Sequence, residues 1–588
     1  QYGGDAVGGL VILEPIQVRK DTLFGRTMFN LASNGRGGSV TTSLHKGNDL
    51  GWSWNALGTF KYMGDREAPD YVLSNTGNRE SNFTGDIKYT GKHYFLSGFY
   101  SYYNATIGIL SAAHVGSTND LYDAIKNKRP SVIKDFTYTI DNPKQEVQHH
   151  LAKLNYQYYF DETASLSSQY SFQFNKRLEF DIRRGVFNNR AALDLELSTH
   201  NLNVDFKKTY HDWHLKSGVN AGFQNNFASP ATGIRPLIPN YEKLDAGVYG
   251  IASVSLSDGL VLDGGLRYDF SKVDAKKFYF KSRWTERGYD VLFPQFEVRE
   301  VGDQILAHPT FTFHNLSASL GFRKTFDKQW DWYTNISLAT RNPNPSEFFS
   351  DGLHHSSGMI ELGDLALKKE QSIKLSSTVQ KTWNNFSLEV NPYINAVQNY
   401  MFLRPIRPET TNRGTFLVWE YQQTNALLGG VDVQTNWTIN SQWQHRFTMA
   451  YIKGDDLDND EPLIDMPPFH FTNTIEFKKK EWHELLLELK SEVVTQQQSY
   501  PNNNFEITVI ENGNLVPREL DISTPPAGYH LLHFYSEMKF NTFYKTTTTL
   551  GFSVQNIFNT NYRDYLNRQR FFADEVGRNF QIQIKFNY

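Results

Sequence analysis

NFQIQIKFNY, residues 579–588, alternates without a break. Phe580, Ile582, Ile584, Phe586 and Tyr588 are apolar, while Asn579, Gln581, Gln583, Lys585 and Asn587 are polar. Successive side chains of a β-strand point to opposite faces, so a period of two gives one apolar and one polar face. The pattern recurs in 315–324, where Leu316, Ala318, Leu320 and Phe322 alternate with Asn315, Ser317, Ser319 and Arg323. In 151–160, Ala152, Leu154, Tyr156, Tyr158 and Phe160 oppose Lys153, Asn155 and Gln157. A β-sandwich and a transmembrane β-barrel both produce such strands.

Composition narrows the choice. The chain has 588 residues, with Lys+Arg 59 against Asp+Glu 63 and no cysteine. Soluble domains of ordinary size would number about four at this length. The net charge of -4 carries no polyelectrolyte signal, which argues against a dedicated nucleic-acid binder. Without cysteine there are no thiolate zinc sites, iron–sulfur clusters, cysteine nucleophiles or disulfides. No apolar run reaches the roughly 18 residues of a membrane helix, and mean hydropathy is -0.52. Yet aromatics make up 15% of the chain (Phe 43, Tyr 32, Trp 11). Many aromatics without apolar helices point to an all-β transmembrane barrel, whose lipid face takes every second residue and whose rims carry aromatic girdles.

The connections favour the same answer. Short turns recur at 48–50, 91–92, 161–163, 211–213, 257–259, 384–385 and 480–482. Long polar connections are expected at about 64–80, 104–148, 177–199, 225–246, 271–314, 342–369, 401–414, 454–468, 495–528 and 556–578. Long and short alternate, as in up-and-down hairpins with short periplasmic turns and long extracellular loops. Counting candidate strands from Thr22 gives about 22, the size of plugged outer-membrane transporters. An even count puts both ends of the barrel chain on the periplasmic side. Residues 121–128 are expected to form a short helix within a loop.

Residues 2–13, YGGDAVGGLVIL, resemble the last strand of the plug domain of TonB-dependent outer-membrane receptors. The match rests on Tyr2, Gly3, Ala6, Gly8, Gly9, Val11 and Ile12. Residues 555–588 resemble the end of that family's barrel, through Asn556-x-Phe558-Asn559, Tyr562, Gly577-Arg578 and a terminal aromatic strand. Tyr421-x-x-x-Asn425-Ala426 followed by Gly429-Gly430-Val431-Asp432, and Pro462-Leu463 with Met466-Pro467-Pro468, resemble strand signatures of these barrels. The resemblance implies a plug remnant over 1–14 and a receptor barrel over 15–588. The family's plug and its TonB box would precede the YGGDAVGG segment. The chain begins at Gln1 without a signal peptide, and we expect it to be a processed or truncated form.

The most informative loop is 339–370, ATRNPNPSEFFSDGLHHSSGMIELGDLALKKE. It resembles a receptor region in which an Arg-Ala-Pro box precedes an Asn-Pro-x-Leu box. Haem receptors place a histidine between the two. Here Arg341 and Pro343 stand for the first box and Gly363-Asp364-Leu365-Ala366-Leu367 for the second, with His354 and His355 between. Imidazole ligates haem iron, so the resemblance makes His354 and His355 candidate haem-iron ligands. Packing of the loop itself is the competing reading. Arg341, Phe348 and Phe349 are candidate substrate contacts, and Arg341 equally fits a structural ion pair at the strand top. Trp284, Trp419 and Tyr500 could stack on a ligand. Lys126, Lys128, Arg129, Arg183, Arg184, Arg404 and Arg407 could draw in an anionic chelate. DDLDNDE, 455–461, lacks the EF-hand glycine and terminal glutamate and reads as a solvated acidic loop.

No nucleophile elbow, Walker loop, HExxH or dinucleotide fingerprint is present. The resemblance therefore implies a transporter, with no enzymatic activity and no resident cofactor expected. It would sit in the outer membrane of a Gram-negative cell, among outer-membrane lipids. Uptake of a ferric siderophore or haem would be powered by TonB-ExbB-ExbD through the plug. The alternatives are a passive plugless pore, or a receptor for another metal chelate, a vitamin or a glycan.

Overall fold

A computed structural model describes residues 11, 18, 21–182, 189–327 and 329–588. The YGGDAVGG segment and Arg183 and Arg184 lie outside the described residues, as does the 1–14 plug remnant apart from Val11. The rest forms a closed barrel of 22 antiparallel strands. The first strand, Leu23–Ala32, pairs with the last, Asn579–Asn587, through Thr27↔Phe586 and Phe29↔Ile584. The alternating stretch 579–588 thus closes the barrel. Closure leaves the described barrel wall without an edge strand and pairs its ladders internally, as a bilayer demands.

Register turns single-strand alternation into continuous bands. Leu320 pairs with Ile336, Ile336 with Leu375, and Leu375 with Ile394. All four lie exposed on the outer face. One residue along, Ser319, Ser337, Lys374 and Asn395 form a polar row on the inner face. The rim is equally ordered. Of the 11 tryptophans, all but Trp284 and Trp419 are exposed on or beside the short turns, from Trp52 and Trp213 to Trp443 and Trp482. This girdle marks one membrane interface.

The bands make a direct prediction. Leu320→Arg places a charge in the apolar belt and should cost about 2–4 kcal/mol. Ser319→Arg, on the wet face, should cost well under half of that. Urea unfolding of the barrel in detergent or bilayers compares the two, and equal costs would mean that the faces are misassigned.

The strands are taller than alternation indicates. Phe386–Thr411 and Gly414–Thr438 form one hairpin of 26- and 25-residue strands, where about 9–11 residues suffice to span. The long connection expected at 401–414 is therefore strand, with a turn only at 412–413. Pro405 and Pro408 and the charges beside them run within strand backbone. Pro405 sits at a register shift, where a missing N–H is tolerated. Likewise Leu260–Phe280 and Ala164–Phe180 run beyond 271 and 177. Above the bilayer no lipid enforces alternation, so the signal fades before the strand ends. Residues 121–128 fall largely within helix α1, Thr118–Asn127, which is capped by the Ser117 side chain and ends at Lys128 in a left-handed conformation.

Candidate functional site

The 342–369 loop folds over the mouth of the barrel. It starts with a sequence-encoded helix, α2, Pro345–Phe349. Asn344 accepts from the backbone N–H groups of Ser346 and Glu347, and Glu347 returns a bond to the Asn344 N–H at 2.7 Å. This is a capping box, with proline at the first helical position. Glu347 also anchors the loop. Arg341 Nη1 donates to both of its oxygens, at 2.9 and 3.0 Å, and Arg341 Nη2 donates to Glu370 at 3.3 Å. Arg341 ends one strand and Glu370 begins the next, so the triad ties the base of the loop together. Of the two roles open to Arg341, the geometry is that of the ion pair.

Phe348 and Phe349 are buried, in a cluster with Trp284, Tyr289, Val273, Leu365 and Met401. Phe348 stacks on Phe311 with centroids 4.4 Å apart and planes 1° apart. Trp284 and Trp419 are buried too. These aromatics pack the outer barrel and present no face to a ligand.

After α2, Asp351–His354 and Met359–Leu362 form a hairpin. Its second arm pairs in parallel with Leu417–Glu420 of the tall hairpin. This docking sends the two histidines in different directions. His354 Nε2 accepts from Arg177 at 2.8 Å and His354 Nδ1 donates to Glu361 at 2.7 Å, so both ring nitrogens are engaged. Arg177 also holds Glu179 and Ser356.

His355 is 2% exposed. Its Nδ1 lies 3.5 Å from Asp181 Oδ2 and its Nε2 lies 3.4 Å from Arg413 Nη1. His114, from the 109–143 loop, points its Nε2 at Asp181 Oδ1 from 3.9 Å. Burial pushes the His114 pKa down to about 4 against the pull of Asp181, leaving its imidazole neutral. Burial works to raise Asp181, but His355, His114 and Arg413 outweigh it and hold the carboxyl below its usual range. Neither His114 nor Asp181 stood out in the sequence, and no local motif marks them.

The cations offered for anion capture are mostly committed. Arg404 donates to Glu461 at 2.7 Å and Asn503 at 3.0 Å, and Arg129 lies over the Tyr71 ring. Arg407 reaches Glu409 at 3.2 Å and faces a polar cavity of ≈ 630 Å³ that Arg283, Arg287, Glu420 and Tyr421 also line. In the acidic loop, Asp456 is buried and accepts from Asn459 and Asp458, while Asp458 accepts from Asn425. Those carboxylates fasten a turn to the Tyr421–Asn425 signature.

A family model described as "TonB dependent receptor-like, beta-barrel" matches residues 69–557. The chain belongs to the TonB-dependent receptor family. The receptor is accordingly an outer-membrane transporter barrel and not an enzyme. No curated protein matches its sequence. Solved structures share its fold at low identity. The copper transporter OprC superposes with a TM-score of 0.75 at 13% identity, covering 98% of this chain and 82% of that one. The FrpB iron transporter from Neisseria meningitidis gives 0.69 at 15%, covering 97% and 83%. The ferric-catecholate import receptor Fiu from E. coli K12 gives 0.67 at 11%, covering 97% and 82%.

Proposed function

We propose that the receptor imports an iron complex, a ferric siderophore ahead of haem, across the outer membrane of a Gram-negative cell under TonB-ExbB-ExbD power. The observation that carries this reading is the polar cavity beside the 342–369 loop. Its ≈ 630 Å³ falls within the roughly 300–1,000 Å³ typical of small-ligand sites. Guanidinium groups of Arg283, Arg287 and Arg407 line it beside the carboxylates of Glu286, Asp364 and Glu420, and chelate oxygens would take donors now shared with carboxylates. Fold relatives named for iron and ferric-catecholate transport support the same class. Haem is ranked second on geometry, because His354 is hydrogen-bonded at both nitrogens and His355 is buried. In this reading both histidines, with Arg341, Phe348 and Phe349, shape the loop that borders the cavity.

The test is a titration of the full chain with a ferric catecholate, read by tryptophan fluorescence, beside a haem titration read by Soret absorbance. Siderophore binding should saturate and weaken about 10-fold or more in Arg407→Ala, the loss expected for one charged hydrogen bond. Saturable haem binding abolished by His354→Ala, with no siderophore binding, would overturn the ranking.

A further inference from the structure

Five buried polar atoms without a hydrogen-bond partner among the described residues belong to four neighbouring side chains. They are Nδ1 and Nε2 of His114, Oε2 of Glu179, Oδ2 of Asp181 and Nδ1 of His355. Buried polar groups are nearly always satisfied. Such a concentration at one point asks for a common partner. One ligand atom each from His114, Asp181 and His355 lie within 4.8 Å of one another.

We infer that His114, Asp181 and His355 form a binding site for a resident divalent transition-metal ion that pins three extracellular loops together. Two imidazoles and one carboxylate make a borderline donor set. It suits Zn²⁺, with Cu²⁺ or Ni²⁺ as competitors, and does not suit Ca²⁺ or Mg²⁺, which take oxygen ligands. Three protein ligands leave a fourth tetrahedral position for water. Closing donors that now lie up to 4.8 Å apart around one ion takes small side-chain shifts. Arg413, 3.6 Å from Asp181 and partly exposed, is the group that must yield.

The ligands come from far apart in the chain. His114 belongs to the 109–143 loop, Asp181 follows the Ala164–Phe180 strand, and His355 turns the 342–369 hairpin. The first loop is already seated against the tall hairpin, where the Thr415 N–H donates to Val115 O at 3.1 Å. A metal at this point would close the arrangement through coordinate bonds. Burial separates this role from cargo capture. The three side chains are 3%, 1% and 3% exposed, so the ion is enclosed by loops and does not face an incoming ligand. The site goes beyond the substrate reading and stands whichever nutrient is carried.

The test uses the full chain in detergent, stripped with a chelator and titrated with Co²⁺ and then Zn²⁺. One equivalent of Co²⁺ should give the intense visible d–d bands of a four-coordinate site, and Zn²⁺ should displace it. His114→Ala and His355→Ala should each weaken binding on the order of 100-fold. His211→Ala, in a turn at the opposite rim, should leave it unchanged. Arg413→Ala keeps both imidazoles and should bind at least as tightly as the parent. Zn²⁺ should also slow proteolysis of the 109–143 and 342–369 loops in the parent but not in the histidine variants. A parent that shows no stoichiometric four-coordinate Co²⁺ spectrum, or binding unaffected by both histidine variants, overturns the proposal and leaves the cluster to ordered water and Arg413. Siderophore binding measured on the same variants keeps the two proposals apart, since the metal site predicts loss of Co²⁺ whether or not substrate binds.

Discussion

Arg341→Ala should free the 342–369 loop while leaving the barrel wall standing. The guanidinium is the shared partner of two carboxylates that are barely exposed, at 9% for Glu347 and 7% for Glu370. Removing one partner of a buried ion set typically costs about 3–5 kcal/mol, because the desolvated charges left behind are uncompensated. Here the loss propagates along two backbone contacts. Glu347 holds the N-cap of α2 through the Asn344 N–H, and Glu370 accepts from the Met401 N–H at 3.0 Å. The loop should become protease-sensitive and its amides should exchange faster. The strands Trp330–Arg341 and Glu370–Thr382 keep their twelve-residue register and stay protected. A triple variant, Arg341→Met with Glu347→Gln and Glu370→Gln, should recover most of the loss, since neutral replacements of similar volume remove the charges that needed pairing. If Arg341→Ala and the triple variant prove equally open, the triad is not what closes the loop.

Legibility from sequence followed the membrane. Where lipid faces one side, alternation is enforced residue by residue, and 315–324 and 579–588 could be read directly into faces and finally into cross-strand bands. Short turns could be read for the same reason. Above the bilayer the constraint lapses. The tall hairpin carries Pro405, Pro408, Arg404 and Arg407 through strand backbone, and its outer half looked like a loop. The candidate site divides in the same way. The capping box Asn344-Pro345-Ser346-Glu347 is local and was present in the sequence as a pattern. The meeting of His114, Asp181 and His355 depends on closure of three separate loops whose residues are widely separated in the chain, and no spacing rule reaches that far. His355 stands beside His354 in a family pattern, yet its nearest chemical partners, Arg413 and Asp181, are residues that no motif marks.

Phe348→Ala should loosen the same loop by a different physical route. Phe348 is 1% exposed and Phe349 0%, with Leu365 at 1% and Trp284 at 0% around them. Truncating a fully buried phenylalanine costs about 3–5 kcal/mol through lost transfer free energy and the cavity left behind. The site has little room to collapse. One wall is the ring of Phe311, stacked face to face at 4.4 Å. The other is backbone of the loop itself: a Cβ added at Gly363 would run into the main chain of Glu347 and Phe348. With every 1.4 kcal/mol worth tenfold, amides of 345–367 should exchange on the order of 100- to 1,000-fold faster when local opening is the route. Phe348→Leu, which keeps most of the volume, should show a small fraction of this. Phe558→Ala, at a ring 68% exposed, should stay within about 0.5 kcal/mol of the parent. The contrast with Arg341→Ala is diagnostic. The ion triad can be rescued by neutralising its carboxylates, whereas no substitution of Glu347 or Glu370 should restore packing lost at Phe348. If charge neutralisation did restore it, the aromatic cluster would be a passenger of the triad and not a second, independent anchor of the loop.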